Sequence, residues 1–180
     1  MQFQVPESLE SKRLILRQFK ETDWLDLHQY YSDPRATKYT VGRAFTEEET
    51  WRTLSMMIGH WQLRGYGPYA VVTKETDRVI GTVGFWYPKG WPSPEIKWAL
   101  AAEYWGKGFA SEAAHLIQIT GRRYLPDIQL ISLIHPENRA SIKLAESIGA
   151  QFEKEITFRG ANWPIYRHPT DETSDNEVTL

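Results

Sequence analysis

Gly106 and Gly108 sit two residues apart in Glu103-Tyr104-Trp105-Gly106-Lys107-Gly108-Phe109-Ala110-Ser111-Glu112-Ala113-Ala114, where a strand gives way to a helix. That is an anion-binding junction. The first N–H groups of a helix lack internal acceptors and lie at its positive dipole end. Glycines ahead of them let a pyrophosphate approach the backbone without meeting a side chain. Lys107 adds a cation. A plain tight turn would use the same two glycines, so context has to decide. There is no Gly-x-x-x-x-Gly-Lys-Ser/Thr and no dinucleotide Gly-x-Gly-x-x-Gly, so nucleotide hydrolysis and hydride transfer recede. Without a Gly-x-Ser-x-Gly elbow or a His-Glu-x-x-His pair, hydrolase and zincin chemistry lack their minimum parts.

The elements that would position this loop follow from periodicity. Arg13-Leu14-Ile15-Leu16-Arg17 reads as a short strand, and Thr22 opens a helical pattern. Thr46 and Glu49 form a capping-box signature ahead of Trp51, Leu54, Ile58 and Trp61 at helical spacing, with Gly65 as the break. Tyr69–Val72 and Val79–Phe85 flank a polar turn as a hairpin, and Glu95–Leu100 alternates as a third strand. Ala110, Ala113, Ala114, Ile117 and Gly121 make a small-residue stripe that lets a helix sit close on a sheet. Ile128–Ile134 is an apolar strand. His135-Pro136-Glu137-Asn138 is a turn ending in an N-cap, and Ile142, Leu144, Ala145 and Ile148 are the apolar positions before Gly149. Residues 152–158 and 162–167 close the chain as two strands. The order is mixed α/β around one sheet, with residues 1–168 as one domain and the acidic 169–180 as a solvated tail.

The bulk numbers bound the function. A chain of 180 residues, 41% of them hydrophobic, suffices for one core. Its 21 Lys and Arg against 23 Asp and Glu give a net charge of -2, with no overall attraction to nucleic acid or anionic membrane. The absence of cysteine excludes disulfides, thiolate metal sites and a cysteine nucleophile. No apolar run approaches a membrane span and the N-terminus lacks a signal pattern, so the expected address is cytoplasmic, with no metal.

Glu95-Ile96-Lys97-Trp98-Ala99-Leu100 followed by Tyr104-Trp105-Gly106-Lys107-Gly108-Phe109-Ala110-Ser111-Glu112-Ala113 resembles the acetyl-CoA motif of the GNAT N-acetyltransferases, Gln/Arg-x-x-Gly-x-Gly/Ala. Gly108 and Ala110 match its last two positions. Trp105 stands where Gln or Arg is usual, as in the branch that resembles ribosomal-protein N-acetyltransferases (RimJ/RimL-like). Asn138-Arg139-Ala140-Ser141, with Leu144 and Gly149-Ala150, resembles that branch's second motif. The resemblance spans about residues 10 to 168. It implies the GNAT acyl-CoA N-acyltransferase fold, a single mixed, mostly antiparallel central sheet flanked by helices. It also implies acetyl-CoA as cosubstrate, the strand end at Leu100, Ala101 and Ala102 pairing with the pantetheine arm, and the loop Trp105, Gly106, Lys107, Gly108, Phe109 and Ala110 holding the pyrophosphate. By the same resemblance Asn138 touches the pantetheine region; its residue type equally makes it a helix cap, and both hold together.

In such a reaction a neutral amine attacks an already activated thioester in a ternary complex. A lysine-type amine with pKa about 10.4 is neutral about one time in a thousand near pH 7.4, whereas an α-amino group at about 7.7 to 8.0 is neutral roughly a quarter of the time. A base is therefore essential for one substrate class and nearly optional for the other. Glu95 is the candidate base, at the start of the strand leading to the acetyl site and on the face opposite Ile96, Trp98 and Leu100; the alternative is a solvated strand-end carboxylate or one that orders a neighbouring loop. His115, within a helix, and His135, at a strand end, are weaker candidates, since a lone histidine is more often structural than catalytic; His168 borders the tail. Many GNAT proteins carry a Tyr that protonates the leaving thiolate at the position aligning with Ala145, and it is missing here. Ser141 shares the inward face with Leu144, Ala145 and Ile148, so its hydroxyl is the substitute donor, unless it bonds backbone as a helix-start serine.

Eight tryptophans are unusual for this length, and Trp86, Trp91 and Trp98 bracket the segment before the loop. Pocket wall, core packing and a homodimer interface are the three readings. Loops 33–43 and 86–94 are the acceptor-shaping segments. The function expected is acetyl transfer to a primary amine, of a protein N-terminus or a small molecule. The competing class is a non-catalytic acyl-CoA-binding or interaction module, suggested by the missing tyrosine; an RNA-binding module finds no basic stripe.

Overall fold

The structure is a computed structural model that describes residues 3–170; the tail segment beyond Thr170 lies outside the described residues. Along the chain come β1 (Ser8–Glu10), β2 (Leu14–Arg17), a 3-10 turn (Glu21–Asp23), α1 (Trp24–Tyr31), α2 (Pro34–Thr37), α3 (Glu47–Arg64), β3 (Pro68–Thr73), β4 (Val79–Trp86), β5 (Glu95–Leu100), a second 3-10 turn (Ala102–Tyr104), α4 (Phe109–Tyr124), β6 (Ile131–Leu133), α5 (Arg139–Ser147), β7 (Gln151–Phe158) and β8 (Ala161–Arg167). The strands form one mixed sheet in the order β1-β2-β3-β4-β5-β6-β8-β7. Every pairing is antiparallel except β5 with β6.

Strand alternation sorts the core onto two faces. Tyr69 and Val71 of β3 join Val83 and Phe85 of β4 under Ala113, Ala114 and Ile117 of α4. Ala70 and Val72 point the other way, against Leu27 of α1 and Leu54 and Met57 of α3. Helices on both faces explain why these strands read as near-continuous apolar runs. The Thr46–Glu49 capping box forms as read, and Gly65 ends α3 in the left-handed region. Trp51 departs from the expected stripe: it is 44% exposed and belongs to no core cluster. The strand expected over Ile128–Ile134 shortens to Ile131–Leu133, because the Ile128 N–H bonds the Leu125 carbonyl in a turn around Pro126-Asp127. β1 carries too little apolar alternation to be seen in sequence. No helix among the described residues is long and apolar enough to cross a membrane.

The site is made by one failure of pairing. β5 and β6 meet at Glu95↔Ile131 and then part. The buried Ser132 donates its hydroxyl proton to the Ile96 carbonyl at 2.7 Å, putting a side chain where a ladder bond would run. Its oxygen therefore accepts from His168 Nε2 at 2.9 Å, and Gln118 donates to His168 Nδ1 at 3.0 Å. Burial pushes the His168 imidazole down to about 3, so it stays neutral and keeps this tautomer. β6 meanwhile turns to pair with β8, which leaves a wedge open beside the last residues of β5.

Gly81 holds the other edge of β5. Its φ is +154°, and a Cβ there would lie 2.1 Å from the Ala99 carbonyl oxygen. Backbone cannot yield as a flexible side chain can. We expect Gly81→Ala to cost about 3 kcal/mol or more, read as a fall in chemical-denaturation midpoint, because it separates the strand that carries the site from its neighbour.

Candidate active site

The anion loop forms as its residue types require. Gly106 and Gly108 adopt φ of +70° and +78°, and Gly108 is the N-cap of α4. A glycine cap offers no side-chain acceptor, and the first helical bond runs from Glu112 N–H to the Gly108 carbonyl at 3.1 Å. The N–H groups of Phe109, Ala110 and Ser111 thus lie unsatisfied by a cap at the positive end of a sixteen-residue helix. Arg13 braces the loop from β2's side. It donates to the Lys107 carbonyl at 2.8 Å, pairs with Glu112 at 2.6 Å and lies 4.4 Å over the Phe109 ring. Burial raises the Glu112 carboxyl, but bonds from the Ser11 hydroxyl and from Arg13 outweigh it and hold the group below its ordinary value.

A cavity of about 690 Å³ runs from this loop to the wedge. Leu100, Trp105, Gly106, Gly108, Phe109, Ala110 and Asn138 line it, and Arg35, Arg139 and Lys143 add positive charge. Ala101, Ala102 and Lys107 do not border it. The Ala101 N–H is spent on the Ile80 carbonyl at 2.9 Å and its side chain packs with the α1 and α3 core. Ala102 begins the 3-10 turn, and the Lys107 ammonium sits over the Tyr104 ring at 5.5 Å. Antiparallel alternation settles which strand groups face the wedge. Ala101 bonds toward β4, so Ile96, Trp98 and Leu100 direct their backbone groups the other way, as the Ser132 bond to Ile96 shows. The Leu100 carbonyl is taken by the Trp105 indole at 2.8 Å. The Trp98 peptide groups and the Leu100 N–H remain to pair with an extended amide-bearing arm. Free amides for a pyrophosphate, no Cβ in their way and a strand edge for the arm fit coenzyme A.

A second cavity, of about 520 Å³, meets the first along a seam that includes Trp98, Asn138 and Ser141 together with Tyr30, Tyr39, Thr40 and Ala99. Glu95 lies in its wall and is only 5% exposed, which removes the reading of a solvated strand-end carboxylate. Burial raises its carboxyl toward neutrality, to about 7, against the opposing pull of Lys97 and a 3.2 Å bond from the Leu133 N–H. The buried Trp91 indole N–H lies near enough to favour the charged carboxylate, yet finds no acceptor in hydrogen-bond geometry. Lys97, two residues along the same strand face, is pushed down by the same burial while Glu95 holds it up, and its ammonium lies 4.7 Å over the Trp86 ring.

Ser141 does not spend its hydroxyl on the backbone. The Trp98 indole donates to Ser141 Oγ at 3.1 Å, while Asn138 caps the Ser141 N–H at 3.2 Å. An indole can only donate, so the Ser141 proton stays available to a third group. Ala145 is fully buried against Ile134, Ala150 and Tyr166 and reaches neither cavity. His135 borders the second cavity between the rings of Tyr39 and Trp163, its Nδ1 accepting from the Glu137 N–H at 3.2 Å. His115 lines neither cavity, and His168 belongs to the strand wedge. Trp86, Trp91 and Trp98 all wall the second cavity, with Tyr39, Val41 and Lys89 from the two expected loops. Sequence reading missed Arg13, Lys97 and the Trp98 bond; only Lys97, by strict alternation from Glu95, left a signal.

A helix start with uncapped N–H groups beside a splayed parallel pair, opening onto a pocket with a buried carboxylate, is an arrangement suited to acyl transfer. Residues 13–151 match the acetyltransferase (GNAT) domain, and the chain belongs to that family. It is 38% identical over 149 residues to the uncharacterized N-acetyltransferase p20 of Bacillus licheniformis, covering 82% of this chain and 84% of that one. An acetyltransferase structure from Agrobacterium tumefaciens superposes with a TM-score of 0.80 at 27% identity, over 94% of this chain and 97% of that one. RimL, a ribosomal L7/L12 alpha-N-protein acetyltransferase solved in complex with coenzyme A, shares the fold at a TM-score of 0.72 and 20% identity, over 93% and 99% of the two chains.

Proposed function

We propose that the chain transfers an acetyl group from acetyl-CoA to a primary amine by direct attack in a ternary complex. The observation that carries this reading is the meeting of two cavities at Ser141, one built for a phosphate-bearing cosubstrate and the other holding a buried carboxylate. Acetyl-CoA supplies an activated thioester, so the chain's own task is placement and proton handling. The N–H groups opening α4 hold the pyrophosphate, and the Trp98 and Leu100 backbone aligns the arm so that the acetyl group reaches the junction. Glu95 accepts the ammonium proton of the acceptor, which frees the nitrogen lone pair for the acetyl carbon. As the carbon–sulfur bond breaks, Ser141 donates a hydrogen bond to the sulfur that carries off the electron pair, and the proton shed by nitrogen completes the thiol.

A carboxylate raised toward neutrality is well matched to this work near pH 7. It also favours an acceptor whose amine is largely protonated near neutrality over the α-amino group of a peptide N-terminus, which needs little help. Ser141→Ala tests the assignment at the leaving group. A thiol of pKa about 8.5 is a moderately basic leaving group, so losing one donor is not fatal. The single-turnover acetyl-transfer rate should fall on the order of ten- to a hundredfold, roughly 1.4 to 2.7 kcal/mol, with acetyl-CoA affinity changed much less. An unaltered chemical step would reduce Ser141 to a helix-start residue held by Trp98. A joint fall of binding and rate would make it a positioner of the arm.

A further inference from the structure

The charge of the second cavity is opposite in sign to that of the chain. Among the described residues Glu95 is the only acidic one on its wall, which also carries Lys89, Lys97 and Arg159, while the protein as a whole is at -2. Lys97 faces Glu95 within their shared pair, so Arg159 and Lys89 are the surplus cations. Arg159 occupies an uncommon place. Phe158 pairs with Ala161, so Arg159 and Gly160 form a two-residue hairpin loop, with φ of +52° and +78°. Such loops favour Asn, Asp or Gly at the first position, and an arginine there is held against its backbone preference. From that tip its guanidinium lies 4.8 Å over the Trp91 ring and 5.2 Å over Phe158, both in the cavity wall.

We infer that the acceptor is a small amino acid-like molecule: a primary amine on a flat apolar body that also bears a carboxylate. The inference rests on the acetyl-transfer reading above. In this arrangement the amine reaches Glu95, the body lies along the ring-lined wall that Tyr39, Trp98 and Trp163 also form, and the carboxylate meets Arg159 and Lys89. A bidentate arginine–carboxylate contact is directional as well as attractive, so it fixes orientation. A second ammonium, as in a polyamine, fits poorly for two reasons. The wall carries a surplus of positive charge, and the aromatic faces that would cradle a cation already hold Arg159 and Lys97. A volume of about 520 Å³ lies in the range of small-molecule sites.

Matched pairs test this: phenylalanine with phenethylamine, tryptophan with tryptamine, and 4-(aminomethyl)benzoate with benzylamine, alongside spermidine and a short peptide with a free N-terminus. Each is measured for acetyl transfer from acetyl-CoA and, by calorimetry with coenzyme A present, for binding. In the best pair the acid member should exceed its carboxylate-free partner at least tenfold in kcat/KM and in affinity. Arg159→Asn, which suits the left-handed turn better than arginine and so preserves the hairpin, should collapse both ratios toward one. Acid members that bind in an Arg159-dependent way without gaining acetyl would uphold the pocket assignment and overturn the transfer reading. Transfer that ignores the carboxylate, or that prefers spermidine or the peptide, would overturn the pocket assignment and leave the transfer reading standing. No binding and no transfer for any member would overturn both.

Discussion

Gly108→Asp should abolish measurable acetyl-CoA binding, with at least a hundredfold loss of affinity by calorimetry, in a protein that still folds. Two effects add. At φ +78° any side chain is strained, and a Cβ would stand 3.3 Å from Arg13 Nη2 at the point where Arg13 braces the loop. The new carboxylate would also become the acceptor that α4 lacks, capping the N–H groups meant for the pyrophosphate and repelling its charge. Gly108→Ala separates the terms: it keeps the strain without the charge and should lose far less affinity. The site lies at the surface end of the helix, so near-ultraviolet circular dichroism should stay native. Undiminished affinity in a folded aspartate variant would show that the coenzyme sits elsewhere.

Glu95→Gln should lower turnover of an alkylamine by about a hundred- to a thousandfold at pH 7, with little change in acetyl-CoA affinity. The wild-type rate should climb as pH rises through about 7, where the raised carboxyl ionises. The variant should lack that limb and instead gain about tenfold per pH unit as the substrate's own neutral fraction grows, below its pKa near 10.4. Stability gives a second reading of opposite sense. A carboxyl raised in the folded state from an ordinary 4.5 contributes stability below that value, which is lost as pH rises through about 7. Glutamine cannot ionise, so above pH 7 the variant should melt no lower than the wild type. Wild-type turnover at every pH would remove Glu95 from the chemistry.

The parts of the molecule legible in sequence are those written in local signals. Glu95–Leu100 forms β5 at the bounds that its alternation gives, and the Thr46–Glu49 box and the Asn138 cap form as their residue types dictate. The anion loop was legible for the same reason, since glycine and a helix start are neighbours in the chain. What escaped depends on contacts between distant residues. Trp98 reaches Ser141 across 43 positions and Arg13 reaches Glu112 across 99, so no window of sequence holds either pair. His168 looked like the border of the tail, yet it is 4% exposed because the wedge between β5 and β6 needs a neutral partner for Ser132. Ala101 and Ala102 were placed on the coenzyme by resemblance; register puts the N–H of the first toward β4 and starts a turn with the second. Burial, which raises the Glu95 carboxyl toward neutrality, belongs to the assembled fold.

The central claim is that acetyl-CoA and a primary amine meet at this junction and react. Mass spectrometry of an amine panel incubated with the protein and acetyl-CoA tests it most directly. The account predicts that one class of primary amine gains the mass of a single acetyl group on nitrogen, with matching release of coenzyme A thiol, and that Glu95→Gln suppresses both at neutral pH. A protein that binds acetyl-CoA through the Gly108 loop yet leaves every amine unmodified would contradict it and mark the chain as an acyl-CoA-binding module.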